Sequence, residues 1–160
     1  MHPTCKGVSR MSVFECERMA QEYGNWLREG VSATAAGDVC VMISPFVDRH
    51  RDLLQVYVAQ TESGLLISDD GYVIRDLRIS GLELDTERRQ DALHQILKSF
   101  SIKLDGDELQ VVATNEDFAQ KKHDMIQAML AIGDLIHLAG PTVAALFKED
   151  VDRYLRTQQI

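Results

Sequence analysis

Two strand-forming runs, one turn apart, constrain this chain most. Leu53 to Ala59 alternates, with Leu54, Val56 and Val58 on one side and Gln55 and Tyr57 on the other. Thr61-Glu62-Ser63-Gly64 carries turn residues, and Leu65-Leu66-Ile67 follows. The spacing predicts an antiparallel hairpin with one apolar face. A short strand at Val39 to Ile43, stopped by Pro45, precedes it.

Helices are expected on both sides. Ser12 and Glu15 form an S-x-x-E capping box. Val13, Cys16, Met19, Ala20, Tyr23, Trp26 and Leu27 then recur at helical spacing, so a helix from 12 to 29 closes at Gly30, with Trp26 as a core anchor. After Asp69-Asp70-Gly71, Tyr72, Ile74 and Leu77 suggest a short helix ending at Gly81. Asp85 or Thr86 caps the next, which buries Leu93, Ile96, Leu97 and Phe100. Ile102 to Leu104 and Leu109 to Ala113 flank Asp105-Gly106-Asp107 as a second hairpin. Thr114 and Asp117 cap a long helix running through Ile136 to a break at Gly140-Pro141. A last helix carries Val143, Leu146, Phe147, Val151, Tyr154 and Leu155.

The sum is an α+β domain: N-terminal helix, three-stranded antiparallel sheet, helical stretch, second β-hairpin and two C-terminal helices. Residues 1–11 read as a loose leader and 12–160 as a single domain. The helices of 114–160 offer a partner or dimer surface.

The hairpin has a chemical consequence. The start of one strand lies beside the end of its antiparallel partner. Asp48, Arg49, His50 and Asp52 should therefore approach Asp69, Asp70, Gly71 and Tyr72. Gathered carboxylates raise one another's pKa unless a cation joins them, and oxygen ligands suit Mg²⁺ or Mn²⁺. Arg49, Arg51 and Arg75 can neutralise them instead, and Asp69 or Asp70 can simply cap the helix that follows. No cofactor is required by any of these readings, and no metal ligand set is assigned.

The formal net charge of −8 argues against a phosphate-binding surface, and so against direct nucleic-acid binding. Cys5, Cys16 and Cys40 have no paired spacing; Cys16 and Cys40 read as small buried hydrophobes in a reducing compartment. No run approaches the ~18 apolar residues of a membrane span. A cytoplasmic protein is expected. The helix-then-three-strands order is suggestive of restriction-type nucleases, but no E-x-K follows the third run and no lysine lies between Lys6 and Lys98. His94, His123 and His137 read as surface or boundary residues. Phosphate-loop, dinucleotide, serine-hydrolase and zinc-protease motifs are absent.

The segments "ISPFVDRHRDLLQVYV" and "GLLISDDGYVIRDLRISG" resemble the domain of unknown function family numbered 1828, in its I-x-P-F-x-D-R-H-x-D and D-D-G-Y stretches. The resemblance runs from about Glu15 to Leu138 and is densest from Ile43 to Gly81. It implies no activity. It implies that Asp48, Arg49, His50, Asp52, Asp69, Asp70 and Gly71 are the family's marked positions, and that relatives are small bacterial, phage and mobile-element proteins. The function expected from the whole is a non-enzymatic protein-binding module, with inhibition of a host defence complex such as a CRISPR effector as its role. The alternative is a metal-dependent hydrolase or degenerate nuclease using the aspartates. A homodimer is a further expectation.

Overall fold

The computed structural model describes residues 11–138. Cys5, the break at Gly140-Pro141 and the last expected helix lie outside them. Strands β1 (Ser32–Ala36), β2 (Val39–Val47), β3 (Leu53–Thr61), β4 (Gly64–Ser68), β5 (Lys103–Asp105) and β6 (Glu108–Ala113) alternate with helices α1 (Val13–Glu29), α2 (Tyr72–Ile79), α3 (Glu87–Ser99) and α4 (Phe118–Gly133). All six strands join one antiparallel sheet in the order β1-β2-β3-β4-β6-β5. The class is α+β, as the sequence predicts. One sheet replaces two, because β6 pairs with β4 and draws the second hairpin into the first, and β1 raises the strand count from five to six. β1 escaped notice because Ser32-Ala33-Thr34-Ala35-Ala36 has one β-branched residue and no alternation.

The predicted hairpin forms in register, with Thr61 opposite Gly64 and Val58 opposite Ile67. Leu54, Val56, Val58 and Ile67 are buried on the face that α2, α3 and α4 cover. Val73, Ile74, Leu77, Leu93, Leu97, Met125, Ile126 and Met129 supply the helix side of that core. On the other face Leu53 and Gln55 stay in solvent and Tyr57 is half-buried, so the sheet is covered on one face.

Several local expectations change. Pro45 does not stop β2; the register with β3 shifts between Ile43 and Val47, and the strand continues through the irregularity, where proline is tolerated. α4 stops at Gly133, and a 3-10 helix, Asp134–Leu138, buries Leu135. α1 has its capping box at Ser12 and Glu15 and its cap at Gly30, as read. Yet it buries no residue. Trp26 is 56% exposed, so it is no core anchor, and Cys16 is exposed rather than buried. Helical periodicity shows that a face is apolar, not what meets it.

Gly64 has φ +130°, and a Cβ there would lie 2.6 Å from the Ala113 carbonyl oxygen on β6. Gly37 has φ +61° with open space around it. Gly64→Ala is expected to cost upward of ~2 kcal/mol, from strain plus backbone collision, against about 1 kcal/mol for Gly37→Ala. Urea unfolding of the two variants checks the order.

Candidate functional site

The loop between β2 and β3 is built around one carboxylate. Asp48 Oδ1 accepts the backbone N–H groups of His50 at 2.7 Å and Asp52 at 3.0 Å. The backbones of Asp48 and Asp52 also pair, at 2.9 Å, and Arg51 N–H donates to the Asp48 carbonyl at 3.0 Å. Arg51 completes the turn with φ +69°. Asp48 Oδ2 accepts the Tyr72 hydroxyl from α2. Burial alone raises the Asp48 pKa, but the Tyr72 hydroxyl and the two N–H donors outweigh it and hold it below its ordinary value. The Tyr72 hydroxyl is pushed up, by burial first and then by the Asp48 carboxylate.

Tyr72, Asp76 and Ser80 are spaced i, i+4, i+8, so they form one edge of α2 facing this loop. Arg49 donates to Asp76 Oδ2 through Nε at 3.0 Å and Nη2 at 2.7 Å, reaches the Asp76 carbonyl, and donates to the Ser80 hydroxyl. His50 Nε2 lies 2.9 Å from Asp76 Oδ1. A loop and a helix distant in sequence are clasped by charge-assisted bonds. A cleft of about 210 Å³ lies inside the clasp, with Leu54, Val73, Met129 and Leu130 as floor and Tyr72 and Asp76 on its lining. It is smaller than the ~300 Å³ at which small-molecule sites usually begin.

Asp69 points elsewhere. It is fully buried. Its Oδ1 accepts N–H from Gly71 and from Leu109, each at 2.9 Å, and its Oδ2 accepts Val73 N–H at 3.0 Å. Burial raises its pKa, and the three N–H donors oppose that rise. Asp70 is exposed, with φ +52°, and its carboxylate lies 3.6 Å from Arg75. Gly71 follows at φ +68°, a left-handed conformation that favours glycine.

The eight sequence candidates therefore divide. Asp48, Arg49, His50 and Tyr72 come together, with Asp52 closing the loop by its backbone. Asp69, Asp70 and Gly71 form a separate turn that starts α2. The acids do not pool into a shared site, because Asp48 serves its own loop and Tyr72 while Asp69 serves the backbone of α2 and β6. Among the described residues, no group of three His, Cys, Asp or Glu is placed to hold a metal ion. Of the arginines, Arg49 and Arg75 do find carboxylates. Asp76 and Ser80 were missed, although their four-residue steps from Tyr72 mark them on one helix edge.

These observations define a class: a two-layer α+β domain whose β2–β3 loop is locked onto the first helix after the hairpin. The chain belongs to the family described as Domain of unknown function DUF1828, whose model matches residues 44–132, more than half of it. The match spans β2 from Ser44 to Ile132 in α4 and leaves out α1 and β1. No curated protein and no solved structure matches the chain. No helix among the described residues is long and apolar enough to cross a membrane.

Two predictions follow from the geometry. Asp69→Ala strands three buried N–H groups and should cost roughly 3 kcal/mol or more, while Asp69→Asn, which keeps one carbonyl acceptor, should cost less; chemical denaturation ranks them. Asp48 has a lowered folded pKa, so its contribution is full above its unfolded value of 3.8 and is lost as pH falls below it. Tyr72→Phe removes the strongest lowering contact. The stability gap between wild type and Tyr72→Phe should be widest above pH ~5 and narrow below pH ~4 in thermal melts.

Proposed function

We propose that this protein is a non-enzymatic binding module that acts by stoichiometric contact with a protein partner. The observation that carries the reading is α1. Over its 17 residues it buries none, and on the stripe Val13 is 75%, Met19 51%, Tyr23 59% and Trp26 56% exposed. Tyr23 and Trp26 stack, with ring centres 6.2 Å apart. Exposed apolar surface gathered on one helix marks an interaction surface, and the i, i+3, i+4, i+7 spacing suits seating in an apolar groove. An isolated helix of this length is marginal in water, so a partner that covers the stripe gains its full apolar area.

The site chemistry supports the same reading. The carboxylates of Asp48, Asp69 and Asp76 are occupied by hydrogen bonds, which leaves Asp52 as the outward acid of the clasp and Asp70, 3.6 Å from Arg75, as that of the separate turn. These two, on a chain of net charge −8, favour a basic protein surface over a phosphate backbone. The resemblance to phage and mobile-element proteins directs the module toward host–phage conflict, with a defence complex such as a CRISPR effector as the target class. Unpaired Cys16 and Cys40 suit the cytoplasm.

The test is affinity capture from bacterial lysate, then titration of the retained protein. Met19→Glu with Tyr23→Glu should weaken binding tenfold or more, about 1.4 kcal/mol, and leave the melting temperature unchanged. Asp52→Ala with Asp70→Ala should mainly slow association and flatten its salt dependence. Binding unaffected by the α1 pair, or cleavage of DNA or RNA by the purified protein with Mg²⁺ or Mn²⁺, overturns the reading.

A further inference from the structure

The stripe on α1 has a register. Cys16, Met19, Tyr23 and Trp26 stand three, four and three positions apart, the a and d spacing of a helix that packs against another helix. Counted from that seam, Val13, Ala20 and Leu27 fall on one flank, and Glu15, Glu22 and Glu29 on the other. One flank is wholly apolar and the other wholly acidic. Each of these residues is exposed except Leu27, which is half-buried.

The root of the helix fixes which way the flanks turn. Gly30, which closes α1, abuts β2, and a Cβ there would lie 2.5 Å from the Pro45 Cβ. Leu27 and the following Val31 line a cleft of about 350 Å³ with Met42, Phe46 and Phe118. The apolar flank therefore turns toward the body of the domain, and the acidic flank turns away from it. Two of the acids have local contacts. Glu15 belongs to the capping box with Ser12, and Glu22 lies 2.7 Å from Arg18 in an exposed pair. An exposed pair of this kind contributes little and yields readily to a competing cation.

We propose that α1 takes an amphipathic helix of the partner protein, one whose apolar stripe is bordered by lysine or arginine on the side that meets Glu22 and Glu29. The inference rests on the binding role proposed above and specifies the partner's chemistry. The flanks of a helical seam choose its partner by charge. A basic border meets the acidic flank, while the apolar stripe beside it covers Met19, Tyr23 and Trp26 and runs on toward the cleft at Leu27. A second copy of this chain fits poorly. Packed antiparallel, the acidic flank faces another acidic flank, and like charges placed together are costly. Packed parallel, the glutamates face Val13, Ala20 and Leu27, which offer no cation.

The test uses the full chain and two synthetic helical peptides of about three heptads. Both carry a leucine stripe; one has lysine along its flanks and the other glutamate. By fluorescence anisotropy the lysine peptide should bind about tenfold tighter than the glutamate peptide, with the advantage shrinking as salt is raised. Glu22→Lys with Glu29→Lys should reverse the preference and leave the melting temperature unchanged; Glu15 is kept for its cap. Equal binding of the two peptides, no binding of either, or a preference unmoved by the charge exchange overturns this inference, and the binding role is then judged by lysate capture alone. A wild-type dimer in sedimentation equilibrium that Met19→Glu with Tyr23→Glu splits puts a second copy on the stripe and also overturns it. A lysine peptide bound as tightly by that variant as by wild type places the contact away from α1 and overturns both readings.

Discussion

The carboxylate of Asp69 holds this fold together at one point. It lies just beyond the end of β4, is fully buried, and accepts N–H groups from Gly71, Val73 and Leu109. Those donors belong to the turn, the first turn of α2, and β6. A buried charge is tolerable only when so many dipoles point at it. The same contact therefore starts the helix that covers the hairpin and helps fasten the second hairpin to the first. Gly71 suits the position beside it because the turn doubles back there at φ +68°.

From that knot α2 runs along the β2–β3 loop, and the clasp follows from helical geometry. Tyr72, Asp76 and Ser80 sit one turn apart: Tyr72 meets Asp48, Asp76 meets Arg49 and His50, and Ser80 meets Arg49. Each polar group of the clasp finds a partner, and among the described residues no buried side-chain nitrogen or oxygen lacks a hydrogen bond. Asp48, Arg49, His50 and Tyr72 thus take part in joining the β2–β3 loop to α2. The apolar area left over is at the other end, on α1 and beside β1, outside the residues that the family model matches.

Much of the site was half-legible. The approach of the 48–52 loop to the 69–72 turn followed from the hairpin, and Tyr72 does reach Asp48. Which acid faces which was not readable. Asp69 and Asp70 are neighbours, yet one is sealed inside and the other stands in solvent, because the chain reverses between them. Asp76 was overlooked since no motif marks it; its role depends on a helix edge meeting a loop 27 positions away.

Caps, turns and alternation act over a few residues, so the local elements could be read along the chain: the Ser12–Glu15 box, the Thr61–Gly64 turn, the buried Leu54, Val56 and Val58. The α+β class could be read for the same reason. The six-stranded order, the separation of Asp48 from Asp69, and the exposure of Trp26 came from long-range packing instead. Those depend on which surfaces meet across long stretches of chain, and an apolar residue carries no mark of the neighbour that will or will not cover it.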